Sequence, residues 1–347
     1  MRPLTIINRA ALLILFILLS MTSAIHAEKP EHEIKFASLA PDGSSWMQQM
    51  RELDAAVRDS TNGKVGFKLY PGGVQGDEQD VIRKMRFNQL HAAGFTGNGL
   101  GEILPEMRVL ELPFLFHNKD EVDLILDTFT DQFDQAFRDK GYVLLGWTEV
   151  GYVYFFSNTP IYTGGDLKGM KVWTWQGDPL AAALFKAMDV TPVPLSITEV
   201  MTALQTGMID AVYTSPMAAI SLQWFSRTKY MNLQPITNSM GAVLLTLKSW
   251  DKLDESEQKA LLEVSRDHLR QLTLTTRIDN RKSIEQLEQA GLTMIPVPGP
   301  EALEQYHQIG NEVRQNLVGN LYSEELLAEI MQTLDTYRAE SAIDETD

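Results

Sequence analysis

The 347-residue chain contains no cysteine. Disulfides, catalytic thiols, thiolate metal sites and a lipid anchor attached through cysteine are all excluded. Positive charge is scarce as well: 30 Lys and Arg stand against 46 Asp and Glu, a formal net charge of −16. A surface of that sign repels nucleic acid and anionic lipid, so neither is expected as a partner. The five histidines beyond residue 27, His32, His91, His117, His268 and His307, never stand four residues apart, so the paired histidines of a zinc protease are missing. No metal site is expected. There is no G-x-S-x-G elbow and no P-loop, and the S-x-x-K match from Ser226 to Lys229 lacks its companion motifs. The chain therefore shows no convincing catalytic constellation and calls for no cofactor.

Long apolar runs are also missing. The one strongly apolar stretch, Ala10 to Leu19, falls well short of the roughly 20 residues a membrane-spanning helix needs. It follows Arg2 and Arg9 and precedes the small-residue stretch SMTSAIHA, the pattern of a secretory signal peptide. Residues 1–27 are read as that signal, with cleavage expected after Ala27 and Ala24 as the second choice. Export then leaves an acidic chain without further membrane insertion, too long for one hydrophobic core to serve, and two lobes are expected.

Helical and extended patterns alternate along the remainder, which predicts an α/β architecture with largely parallel sheets. IKFASLA reads as a strand, and the following helix repeats Trp46, Met50, Leu53 and Val57 on one face. YVLLGWTEV and YVYFFSN read as successive strands. A helix from Ser196 to Gly207 has Ser196 and Glu199 placed as a capping box and Gly207 as its left-handed stop. From about Asp254 to Ala290 a helical pattern runs without proline or glycine; its heptad spacing is irregular, which favours a strut between lobes over a coiled coil. The expected division is 28–150 plus 239–280 for the first lobe and 151–238 plus 281–347 for the second.

Two local features leave alternatives open. GFTGNGLGE places Gly97, Gly99 and Gly101 between a strand and a helix, where backbone amides could cradle an anion or where a turn could need positive φ. MKVWTW places Trp173 and Trp175 on one side of an extended run, either as sheet packing or as the wall of a pocket.

Four blocks in order, TNGKVGFKLYPGGVQGDE, RVLELPFLF, GDLKGMKV and PVPLSITEVMTALQTGMIDAVYTSP, resemble the solute-binding subunits of tripartite ATP-independent periplasmic (TRAP) transporters. The resemblance implies a two-lobed periplasmic binding protein fold (type II-like) with a long interlobe helix. It further implies a small organic ligand held in the cleft and delivered to TRAP permease subunits. It also exposes a departure. The family's carboxylate-binding arginine on the strand after DLKG falls on Trp173, a second arginine falls on Val153, and a usual asparagine falls on Thr214.

An anion buried without a cationic partner is costly, so the cleft is expected to be more apolar than is usual and to prefer an uncharged, aromatic or largely hydrophobic solute. Trp173 is expected to offer a broad face and one indole N–H donor. Tyr152, Trp175 and Trp224 are expected as further walls, with Trp147 and Tyr154 also considered. Strand-end loops add Trp46, Phe95, Thr96, Glu149 and Ser215. The alternative is a conventional organic-acid receptor that recruits Arg83, Arg86 or Arg108, side chains expected to be solvated. A remoter one is an exported enzyme using the Gly97 loop for a phosphate-bearing substrate.

Overall fold

The computed structural model describes residues 29–344, and the leader read as a signal peptide lies outside them. The chain enters with β1 (His32–Ala37), α1 (Ser45–Ser60), β2 (Val65–Tyr70), α2 (Glu78–Arg86), β3 (Ala92–Thr96) and α3 (Gly97–Ile103). In α1 the Ser44 hydroxyl caps the helix by accepting from the Met47 amide. Its buried face is Met47, Met50, Leu53 and Val57. Trp46, expected on that face, stands one position off it and only partly buried.

A 3₁₀ turn (Pro105–Glu111) leads to α4 (Lys119–Asp139) and then to β4 (Tyr142–Ser157), one 16-residue strand where the sequence suggested two. There follow β5 (Trp173–Trp175), α5 (Pro179–Ala187), β6 (Val193–Leu195), α6 (Val200–Thr206), β7 (Ala211–Thr214), α7 (Pro216–Ser221) and β8 (Tyr230–Asn232). The Ser196/Glu199 capping box and the left-handed Gly207 (φ 68°) frame α6, with its first turn wound as 3₁₀. The chain closes with β9 (Thr237–Thr246), α8 (Leu247–Trp250), α9 (Glu255–Gln289), β10 (Thr293–Ile295), α10 (Pro300–Leu317) and α11 (Glu324–Asp344).

The main sheet runs β10-β8-β4-β9-β3-β1-β2, with β7 also on β4, and β5 and β6 form a separate parallel pair. It is mixed rather than largely parallel. Parallel pairing joins β1 to β2 and β3, and β8 to β10, but β4 and β9 are antiparallel to their neighbours. The reason is that these two long strands carry the chain from one half of the molecule to the other. Residues Tyr142 to Val153 of β4 pair with β9, whereas Tyr154 to Ser157 pair with β7. The β4–β9 register shifts between Glu149 and Gly151, where Gly151 takes φ 103°, a bulge that bends and twists the crossing strand.

Helix α9 has 35 residues, roughly 50 Å at 1.5 Å per residue. It packs on α1, β4 and α7, touching both halves as a strut should. Asp254 caps it, accepting from the Glu257 amide at 2.9 Å. At the chain end, α10 lies on α5 and α11 on α4, so the C-terminal helices reach back across both halves.

Candidate ligand-binding site

A cavity of about 170 Å³ opens between the halves. The ends of β1 and β3 bring Ser38, Phe95 and Thr96 to it, and the start of α1 brings Trp46. The crossing strands contribute Thr148, Glu149, Val153 and Ser239, and the other half contributes Trp173, Trp175, Tyr213, Thr214 and Trp224.

The tryptophan question posed by the sequence has a double answer. Trp173 is 1% exposed and belongs to the apolar core of its half, yet one part of it borders the cavity. Its ring lies 5.2 Å from that of Tyr213 in a stacked arrangement, 5.2 Å from Trp224 edge-on and 5.3 Å from Trp175. Such contacts add to simple burial and hold each ring in place. The indole N–H of Trp173 donates to the Leu195 carbonyl of β6 at 3.1 Å, so the expectation that it serves a ligand is corrected: the backbone of the neighbouring strand has taken it. Trp175 donates its own N–H to Asp77 Oδ2 at 3.3 Å. Across the cavity Trp46 stacks on Phe36 at 6.2 Å. Gly94 makes room for it, since a Cβ there would come within 2.5 Å of the ring.

Not all the expected residues reach the cavity. Thr214, on the β7 edge paired with Tyr154, does. Ser215 is fully buried and caps α7, accepting from the Ala218 amide at 3.3 Å. Tyr152 is off the wall, its ring covered by the Lys119 ammonium 3.9 Å from the centroid. Trp147 packs edge-on against Phe133 and Phe137 and donates to Thr130 Oγ1 at 2.9 Å. It belongs to the core against α4 because β4 turns that face inward.

The ionisable side chains of the wall, Tyr213 apart, are Glu149 and Glu78. Glu149 is 1% exposed but not alone. Arg277 Nε donates to its two oxygens at 3.1 and 3.2 Å, and Lys119 Nζ to Oε2 at 3.0 Å. Arg277 also binds Asp123, its Nη1 donating at 2.8 Å. Burial alone would lower the Arg277 guanidinium, but its bonds to Asp123 and Glu149 outweigh this and hold it above its ordinary value. Burial lowers the Lys119 ammonium despite Glu149.

Glu78, in the first turn of α2, was not anticipated. Its carboxyl accepts from the Thr96 amide at 2.6 Å, the Thr96 hydroxyl at 2.9 Å and the Gly99 amide at 2.8 Å. Burial pushes it up to about 8 against the opposing pull of those donors. Neither account of the glycine loop survives unchanged. Gly97, Gly99 and Gly101 do not take positive φ; they are glycines because side chains crowd them. A Cβ at Gly97 would sit 1.9 Å from Glu111 Oε2, at Gly99 2.8 Å from Glu78 Oε2, and at Gly101 2.7 Å from Arg108 Cδ. Of the amides that could have cradled a phosphate, that of Gly99 already donates to Glu78 and that of Asn98 to the Thr96 hydroxyl.

Of the arginines considered, Arg83 pairs with Asp80 at the surface and Arg86 is exposed. Arg108 is not solvated as expected. It is 5% exposed and lies 3.2 Å from both Glu111 and Asp178. Glu111 Oε1 in turn accepts from the Ser239 hydroxyl at 3.0 Å, which places Arg108 one layer behind the cavity wall. Sequence offered no sign of the longer contact: Arg108 and Asp178 lie 70 residues apart.

Comparison with known proteins agrees with this architecture. Residues 36–319 match the family model described as bacterial extracellular solute-binding protein, family 7. The 2,3-diketo-L-gulonate-binding periplasmic protein YiaO of Escherichia coli K12 is 26% identical over 270 residues, 77% of this chain and 81% of that protein. A solute-binding protein of Verminephrobacter eiseniae is 26% identical over 242 residues, 69% and 72% of the two chains. Among solved structures, a TRAP periplasmic solute-binding protein of Xanthobacter autotrophicus Py2 with bound β-D-galacturonate superposes with a TM-score of 0.81 at 21% identity, covering 87% of this chain and 99% of its own. One of Desulfovibrio salexigens with bound orotic acid gives 0.81 at 18% identity, covering 89% and 99%. These relatives are binding receptors rather than enzymes, and no helix among the described residues is long and apolar enough to cross a membrane. With the matched span covering most of its length and the two-half fold shared, the chain belongs to family 7 of the bacterial extracellular solute-binding proteins, the solute-binding proteins of TRAP transporters.

Proposed function

We propose that this protein captures an uncharged, aromatic or largely hydrophobic organic solute in the cavity and hands it to TRAP permease subunits after export to the periplasm. Its lobes are assigned as 28–150 plus 239–280 and 151–238 plus 281–347, with α11 reaching back to α4. The observation that carries the solute class is the set of ionisable groups at the wall, Tyr213 apart. These are Glu78 and Glu149, while the cations nearby, Arg277, Lys119 and Arg108, are each already engaged by carboxylates. A carboxylate entering such a site would either go unpaired or draw a cation away from a buried partner, and both cost several kcal/mol. The aromatic group of Trp173, Trp175, Tyr213 and Trp224 offers instead an apolar face.

A second reading is favoured by the acids named with the relatives, galacturonate, D-erythronate and pyroglutamic acid among them. In it Arg108 or Arg277 turns toward the solute. Thermal-shift measurement on the purified mature protein separates the two. Aromatic and apolar solutes are expected to raise the melting temperature by several degrees through mass action, and galacturonate, 2,3-diketogulonate and orotate to leave it unmoved. Stabilisation by those acids that persists in Trp173→Ala would overturn the first reading and establish the second.

A further inference from the structure

We propose that Asp77 is a latch that holds the two halves together over the cavity, so that closure is favoured by contacts within the protein as well as by solute. The proposal rests on reading the cavity as the solute site. Asp77 caps α2 in the first half, its Oδ1 accepting from the Glu78 amide at 2.7 Å. Its other oxygen is given wholly to the second half. Oδ2 accepts from the Ser196 hydroxyl at 2.6 Å, the Ile197 amide at 3.2 Å and the Trp175 indole at 3.3 Å. One carboxylate thus caps two chain segments 119 residues apart, and the negative charge suits both helix starts. Beside it, Gln79 Nε2 reaches the Gln176 carbonyl at 3.5 Å.

Three features make this a latch rather than ordinary packing. The partners are two side chains and an amide that gather only when β5 and the Ser196 turn lie against α2. Asp77 is half-buried, so on opening its carboxylate returns to water without crossing the core, unlike the buried Arg108–Asp178 pair. And the latch holds the walls themselves: Trp175 lines the cavity, and Glu78, next in the chain, does too. Closure and the shape of the solute site are therefore linked through one side chain.

The absence of cysteine allows a direct test. Spin labels on Ala55→Cys in α1 and Gln205→Cys in α6, both exposed positions, report the distance between halves by pulsed electron resonance. The protein is first stripped of copurified solute by unfolding and refolding, so that no ligand enters the measurement and its outcome does not depend on which solute class is right. With Asp77 intact, a closed-distance population is expected without solute. In Asp77→Ser, which keeps a capping hydroxyl but cannot span the gap, the closed-to-open ratio is expected to fall at least tenfold. Ser196→Ala, which leaves the α2 cap untouched, is expected to shift it the same way, and it decides the matter if Asp77→Ser does not refold. A single open distance in the unsubstituted protein, or unchanged distributions in the variants, would overturn the proposal.

Discussion

At the scale of single residues, the buried charges decide how this protein responds to pH. Glu78 is 2% exposed, and burial pushes its carboxyl from an ordinary 4.5 up to about 8. The folded protein therefore keeps a proton there that the unfolded chain loses above pH 4.5, and stability falls as pH rises from about 4.5 toward 8. Glu78→Gln is expected to remove that slope in urea melts taken between pH 5 and 8. At pH 5 the variant should be less stable by about 1–3 kcal/mol, because an amide nitrogen cannot accept from the Gly99 N–H as the carboxyl does, and this deficit should close toward pH 8 as the unsubstituted protein loses stability. Arg277 makes a second case. Replacing it with Met leaves the buried Glu149 with Lys119 as its remaining ion pair, and a loss of about 3 kcal/mol is expected in the same melts. Neither role was legible in the sequence. The sequence places Glu149 at a strand end, but its partners come from α4 and α9, and only folding brings residues 128 positions apart together.

At the scale of elements, legibility followed the locality of the signal. The Ser196/Glu199 box, the Gly207 stop and the ends of α9 are written within one turn of chain, and the structure reproduces them. Sheet direction is not local. Nothing within YVLLGWTEVGYVYFFS says that it is one strand, because its continuity depends on β9 on one flank and β7 beyond Val153. Gly151 is the exception worth testing. Its φ of 103° and the Asn280 Nδ2 atom 2.5 Å from where a Cβ would lie both forbid a side chain. Gly151→Ala is expected to cost about 2–3 kcal/mol, roughly half of it from the left-handed backbone. Adding Asn280→Ala should recover only part of the loss in thermal melts, since it relieves the clash, leaves the backbone strained and removes the bond from Asn280 Nδ2 to the Val150 carbonyl.

At the scale of the whole molecule, the last helix is tied back to the start of α4. Arg338 of α11 donates to both oxygens of Glu121 at 2.8 Å and to the Leu115 carbonyl at 2.8 Å. Burial would raise the Glu121 carboxyl, but Arg338 and the His117 amide outweigh it and hold it below the ordinary range. Its contribution is present above pH 4.5 and lost as pH falls through the lowered value. Arg338→Met is expected to destabilise the protein by about 2 kcal/mol at pH 7. The deficit should narrow in acid, and chemical denaturation at pH 7 and pH 3.5 would show it. Composition and order of motifs were enough to determine an acidic, cysteine-free α/β chain of the solute-binding type, because charge, periodicity and capping act over a few residues or over the bulk. Which rings border the cavity, which carboxyl keeps its proton and which arginines are already engaged were decided only in three dimensions, where burial and pairing between distant segments set the energy of each charge.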